Sequence, residues 1–186
     1  MSLRSLLELD ARFSDKLRVA EKPGILRTLA IFLAHSGDSW FWAVALALAW
    51  FFSDSTWKHW EVVEFFGILG LAGVVLAIKF LVRRKRPEGE WGGIYRNTDP
   101  HSFPSGHAAR SFLIAVVASA LAPPWLIALL WVWAPLVALA RVVMGVHYLS
   151  DVVAGAILGT VVAIIGLQFY PLLVGWLGPL IDFPLW

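Results

Sequence analysis

A histidine and an aspartate stand four residues apart in this chain, at positions 147 and 151, shortly after Arg141. If the segment is helical, His147 and Asp151 lie on one face and can touch. A carboxylate bonded to one imidazole nitrogen fixes the tautomer and raises the basicity of the other nitrogen. The spacing therefore predicts a histidine nucleophile. A satisfied polar pair between helices is the alternative, but it leaves Arg141 without a purpose.

A second histidine follows a proline, a serine and a glycine, in the sequence Pro104-Ser105-Gly106-His107. Proline suits the first turn of a helix, and glycine lets a ligand approach the backbone. A helix start offers free N–H groups and a positive dipole end, which suit an oxyanion. Taken alone, the segment is more typical of a capped helix start.

The third segment is basic and runs from Lys79 to Arg86-Pro87. Lys79 and Arg86 are seven residues apart, close to two helical turns, so we expect them to share a helix face. On its own the segment fits a helix end whose long side chains reach for the membrane surface. Arg83, Arg84 and Lys85 are expected to bind anionic lipid headgroups or substrate phosphate.

The chain around these segments is too apolar for a water-facing surface. Of its 186 residues, 59% are hydrophobic and 15% are charged, whereas soluble domains carry about 25% charged residues. Long uncharged runs favour membrane spans. Ionisable residues inside spans are functional candidates, and those here are mostly cationic, so a phosphate group would neutralise them. There is no cysteine, which excludes disulfides and thiolate metal sites, and no basic face for nucleic acid.

The pattern of apolar runs predicts an all-α fold: a polytopic membrane bundle that forms one domain, 1–186. An amphipathic helix over 3–20 precedes six transmembrane helices, and 83–103 is a loop. Gly155 and Gly159 are expected to allow close helix contact. The predicted spans cover residues 24–36, 39–52, 61–82, 104–122, 124–146 and 151–173.

Membrane orientation follows from the Lys and Arg counts on the two sides. Six basic residues before position 28 place the N-terminus in the cytoplasm, so six spans put the 83–103 loop and the 145–150 turn on the outer face. This predicts an active site on the extracytoplasmic side of a bacterial inner membrane. The five basic residues of the 83–103 loop, Arg96 among them, argue against that orientation, unless some of them hold phosphate.

Together, the three segments resemble the type 2 phosphatidic acid phosphatase superfamily, which also includes vanadium haloperoxidases and glucose-6-phosphatase. Its signature is Lys-x6-Arg-Pro, then Pro-Ser-Gly-His, then Ser-Arg-x5-His-x3-Asp. The order and spacings match here, and the one departure is Ala140 where the family usually has Ser. We expect this departure to weaken phosphate binding modestly.

The resemblance implies a role for each matched residue. His147 would attack phosphorus and form a phosphohistidine, and Asp151 would orient it. His107 would protonate the leaving oxygen and then help water attack. The remaining groups would hold the phosphate oxygens: Lys79, Arg86, Ser105, Gly106 and Arg141. We expect neither a metal ion nor another cofactor, because cationic side chains could supply the charge that phosphoryl transfer requires.

Several other polar residues are expected to have roles outside the chemical step. His35 and Asp38 are expected to cap a helix break, His101 to be a solvated loop histidine, and Tyr148 to line the pocket. Arg110 could tune the site or pair with a lipid headgroup.

The leading hypothesis is a membrane phosphatase whose substrate is phosphatidate, phosphatidylglycerophosphate or a polyprenyl pyrophosphate. Its partners would be that lipid and the bilayer, with no nucleic acid; the oligomeric state is left open. A phosphatase for a soluble ester and a non-catalytic anion transporter or lipid-binding scaffold are the alternatives. Haloperoxidase activity fits poorly, because it belongs to soluble relatives.

Overall fold

The computed structural model describes residues 2–89, 91 and 99–181, and the regular elements in these ranges are helices. Their bounds are α1 Leu3–Lys16, α2 Ile25–Ser36, α3 Ser39–Phe52, α4 Ser55–Val82, α5 Gly106–Leu121, α6 Pro124–Val143 and α7 Leu149–Ile181. One isolated bridge joins Lys85 to His101. The predicted all-α membrane fold is confirmed at this level.

The prediction of six spans is not confirmed in the described part of the chain. Three helices are long and apolar enough to cross a membrane, namely α4, α6 and α7, and α2 with α3 can form a fourth, broken span because they meet at a bend of 58°. Helix α5 is apolar but has only 16 residues. The prediction of six spans treated α2 and α3 as two crossings, and their continuity around Gly37 does not support that count.

Two helix starts also differ from prediction. Helix α4 begins at Ser55 rather than Glu61, because Asp54 accepts a hydrogen bond from the Trp57 amide and caps it there. Helix α5 begins at Gly106, with Ser105 as its N-cap and Pro104 outside the helix.

Helix α5 lies at the centre of the bundle, packed against α4, α6 and α7. Its small residues Ala108 and Ala109 are fully buried. On α7, a Cβ added to Gly155 would collide with the Ser105 carbonyl oxygen, and one added to Gly159 would collide with the Ala109 carbonyl. The close helix contact predicted for these glycines is therefore present. It holds the start of α5 against the start of α7, where the Ser105 amide donates to the Asp151 carbonyl at 2.9 Å.

We expect Gly159→Val to force α5 and α7 apart and to lower the melting temperature of the detergent-solubilised protein. Overpacking of this kind costs about 1–3 kcal/mol. The matched control is Gly166→Val on the same helix, since a Cβ at Gly166 meets nothing within 4 Å. Equal melting temperatures for the two variants would contradict the proposed role of this contact.

Candidate active site

The three polar segments converge at one end of the bundle. A cavity of about 620 Å³ opens there and is lined by Lys79 of α4, Gly106 and His107 of α5, and His147. They come from three separate parts of the sequence, and the packing of α5 against α4 and α7 brings them together.

His147 lies in the turn between α6 and α7 rather than on a helix shared with Asp151. The turn depends on Gly145, whose φ of +67° favours glycine. His147 Nδ1 is 3.6 Å from Asp151 Oδ2, longer than a hydrogen bond. On the other side of the ring, Arg86 NH1 lies 3.1 Å from Nε2. Since arginine can only donate, Nε2 carries the lone pair and Nδ1 carries the proton that faces Asp151.

The environment of His147 keeps the imidazole neutral. The side chain is 1% exposed, and burial lowers its pKa well below the usual value, with Arg86, Arg141 and Lys79 adding in the same direction. The neutral imidazole is the form that a histidine nucleophile requires, so this environment is compatible with the predicted role of His147.

Asp151 is fixed by contacts other than His147. Its Oδ2 accepts from the Tyr148 amide at 2.9 Å, and its Oδ1 accepts from Arg84 NH1 at 2.8 Å. Arg84 in turn pairs with Asp10 Oδ2 of α1 at 2.7 Å. It also stacks on the Tyr148 ring at 4.0 Å. The headgroup role expected for Arg84 is therefore wrong, because Arg84 links α1 to the segment that carries Asp151. Tyr148 lies beneath Arg84 and does not line the main cavity.

Lys79 and Arg86 meet at an anion that the sequence did not reveal. Both contact Asp99 Oδ2, Arg86 NH2 at 2.8 Å. They do not share a helix face, because α4 ends at Val82 and Arg83 takes the left-handed conformation with φ 51°. Arg86 therefore lies beyond the end of α4, on the segment that follows the turn at Arg83. The contacts to Asp99 show that these two cations together can bind an oxyanion.

The other predicted phosphate ligands are placed differently. Arg141 is fully buried in α6, and its charge acts on both His147 and His107. Gly106 lines the cavity. The Ser105 hydroxyl accepts from the Ala108 amide at 3.5 Å as the cap of α5, so its role toward phosphate stays a prediction.

Ala140 points away from this cavity. It packs in an apolar cluster with Ala30 and Ala34 of α2 and with Met144. The expected weakening of phosphate binding by Ala140 stays a prediction.

His107 contacts an aspartate to which the sequence analysis gave a helix-capping role. Its Nε2 lies 2.6 Å from Asp38 Oδ1, at the corner between α2 and α3. Asp38 occupies the N-cap position of α3 but makes no side-chain cap bond, so the predicted capping role is wrong. The sequence does show an acidic residue, Asp38, beside a glycine at a helix break. That local pattern does not identify His107, 69 residues away, as the partner of Asp38.

The remaining assignments concern Arg110 and His101. Arg110 donates to the Gly37 carbonyl at the same corner, which favours a role in the site over a headgroup contact. His101 is partly buried, with its ring edge-on to Phe80 at 5.8 Å, so it is not the solvated loop residue expected. Arg96 lies outside the described residues.

Comparison with known proteins places this site in a family. The model of the PAP2 superfamily matches residues 61–174, which include all three segments. A decaprenylphosphoryl-5-phosphoribose phosphatase of Mycolicibacterium smegmatis is 36% identical over 143 residues, 74% of each chain. A probable lipid phosphate phosphatase beta of Arabidopsis thaliana is 28% identical, covering 88% of this chain and 90% of its own.

The fold agrees with that assignment. The crystal structure of a transmembrane PAP2-type phosphatidylglycerolphosphate phosphatase from Bacillus subtilis superposes with a TM-score of 0.72. It is 23% identical, and the match covers 89% of this chain and 86% of that one. With a family model that spans more than half of the sequence and includes the three segments at one cavity, the chain belongs to the PAP2 superfamily and is a membrane phosphatase.

Proposed function

We propose that this phosphatase hydrolyses a lipid phosphate monoester or pyrophosphate through a phosphohistidine on His147. The observation that carries the proposal is the position of the cationic site at the head of an apolar groove between α3 and α4. The site cavity shares Ser39, Ile68 and Ala72 with a second cavity that continues down the two helices to Leu46 and Phe65.

The dimensions of the groove suit a lipid chain. From Lys79 to Phe65 is 14 residues along α4, or about 21 Å at the rise of an α-helix. The walls are aliphatic and aromatic, so a hydrocarbon chain would bury its surface there at about 25 cal/mol per Å². A soluble ester would gain nothing from this groove, and an anion transporter would not need it.

The proposed phosphoryl transfer uses the side chains around the site cavity. Lys79, Arg86 and Arg141 would neutralise its oxygens, and the Gly106 amide at the start of α5 would donate to one of them. His147 Nε2 attacks phosphorus as the P–O bond to the lipid breaks, and His107 gives its proton to the leaving oxygen. A water then gives a proton to His107 and attacks phosphorus, which releases phosphate and restores both histidines.

We expect the purified protein to release phosphate from long-chain lipid phosphates in the presence of EDTA, because side chains supply the positive charge. Ala43 lines the second cavity but not the site cavity, so Ala43→Trp should fill the groove and lower lipid kcat/KM by about tenfold or more, the cost of displacing a few buried methylene groups. Its turnover of a short water-soluble phosphate ester should change little. Phosphate release over a panel of phosphatidate, phosphatidylglycerophosphate and polyprenyl pyrophosphate measures both effects.

The matched control is Ala77→Trp on α4, since Ala77 is exposed and lies outside both cavities. Equal effects of the two substitutions on lipid turnover would contradict the groove. A preference for soluble esters in the wild type would favour the alternative substrate class, and vanadate binding without hydrolysis would favour a non-catalytic protein.

The direction in which the site faces needs a new proposal, because α1 lies at the site end of the bundle. The Ser150 amide donates to Asp10 Oδ1 at 3.0 Å and the Leu149 amide donates to Ser14 Oγ at 2.8 Å. The sequence analysis placed the N-terminal segment and the site on opposite membrane sides, which these contacts contradict. If α2 with α3 is one crossing and α5 another, the bundle crosses the bilayer five times.

We propose that the site faces the cytoplasm, in a bacterial inner membrane. In the described part of the chain, the site end carries five basic residues between Arg12 and Arg27 and four from Arg83 to Arg86, and the far end carries Lys58. Basic residues within about 15–20 positions of a span end favour the cytoplasmic side. In the sequence analysis, the basic residues of the N-terminal segment and those of the 83–103 loop favoured opposite orientations. That conflict disappears when both segments lie on the cytoplasmic side.

Orientation can be read from single-cysteine variants, because the chain has no cysteine of its own. We expect a membrane-impermeant maleimide to label Lys58→Cys in intact cells, and Lys22→Cys only after permeabilisation. The two positions are both lysines at opposite ends of the bundle and serve as controls for each other. The reverse labelling pattern would restore the extracytoplasmic orientation without affecting the proposed chemistry.

A further inference from the structure

The corner between α2 and α3 packs against the active site. Gly37 and Asp38 form the break between the two helices. A Cβ at Gly37 would lie 2.8 Å from Val137 Cγ1 and 3.4 Å from the His107 ring. The absence of a side chain at Gly37 thus allows the corner to approach α5 and α6 closely.

Two residues of α5, one turn apart, bind this corner. His107 Nε2 contacts Asp38 Oδ1 at 2.6 Å, and Arg110 donates to the Gly37 carbonyl. Arg110 therefore fixes the backbone that carries Asp38, while His107 binds the carboxylate itself. Asp38 and His107 both line the 620 Å³ cavity.

We propose that Asp38 is a positioning residue for His107, so that the site contains a second carboxylate–histidine pair beside Asp151 and His147. This inference rests on the proposed function. Because Asp38 holds Nε2, Nδ1 is the nitrogen of His107 that exchanges a proton with the substrate. A carboxylate at 2.6 Å orients the ring and stabilises its protonated form beside the positive charges of Arg110 and Arg141.

The proton balance assigns a definite step to the pair. In the first half-reaction, the bond from His147 Nε2 to phosphorus forms and the bond from phosphorus to the leaving oxygen breaks. The Nδ1 proton of His107 goes to that oxygen, and the neutral ring stays hydrogen-bonded to Asp38 through Nε2–H. In the second half-reaction, water gives a proton to Nδ1 and its oxygen binds phosphorus as the bond from phosphorus to His147 Nε2 breaks, which releases phosphate and restores neutral His147. A leaving group that departs easily as an anion does not need the first transfer.

The test compares hexyl phosphate, which requires a proton on its leaving oxygen, with p-nitrophenyl phosphate, which does not. We expect Asp38→Asn to lower the single-turnover rate of leaving-group release from hexyl phosphate by about 10- to 100-fold, less than the roughly 10²- to 10⁴-fold of a whole general acid because His107 remains, and to change the rate of p-nitrophenol release by less than about threefold. His107→Gln should show the same selective loss, and the double variant should be no worse than His107→Gln.

His35→Gln provides the matched control. His35 Nδ1 contacts Asp38 Oδ2 at 2.9 Å, the oxygen that does not contact His107, and its side chain is 51% exposed. We expect this variant to keep wild-type turnover of both substrates. Equal losses of Asp38→Asn on the two substrates, or no loss on either, would overturn the positioning role. An inactive wild type would instead overturn the proposed function.

Discussion

The structure depends on keeping several positive charges together inside an apolar bundle. Lys79, Arg86 and Arg141 are each less than 5% exposed, and burying such charges without anionic partners costs several kcal/mol per ion. Asp99 neutralises two of them in this structure. A phosphate that replaces the Asp99 carboxylate would bind the same cations and lie beside His147 Nε2. Burial lowers the pKa of His147, and the same cations proposed to bind the substrate add to that effect.

The rest of the bundle serves to hold that cluster in place. The glycines of α7 bring the start of α5 onto the start of α7, and the α2–α3 corner brings a carboxylate onto His107. On the outside, α1 reaches Asp151 through Arg84, so a helix predicted to lie in the membrane interface also fixes a residue of the active site. Each of these contacts joins segments that are at least 46 residues apart in the sequence, such as Ser105 with Asp151.

This long separation in sequence explains which parts of the site could be predicted from the sequence and which could not. His147, His107, Lys79 and Arg86 could be found because their types and spacings within short segments are unusual in an apolar chain. Asp38, Arg84 and Asp99 were missed or misassigned because their meaning lies in partners far along the chain. The prediction of a shared helix face for Lys79 and Arg86 was wrong for a local reason, the left-handed turn at Arg83, which no glycine announces.

The central claim is that His147 Nε2 forms a covalent bond to phosphorus, and the most direct test is to trap that bond. Protein mixed with radiolabelled lipid phosphate and quenched in alkali, where a phosphohistidine survives, should carry label on the peptide that contains His147. His147→Ala should carry none and should lose turnover. Rapid hydrolysis by His147→Ala, or label on a different residue of the wild type, would contradict the account.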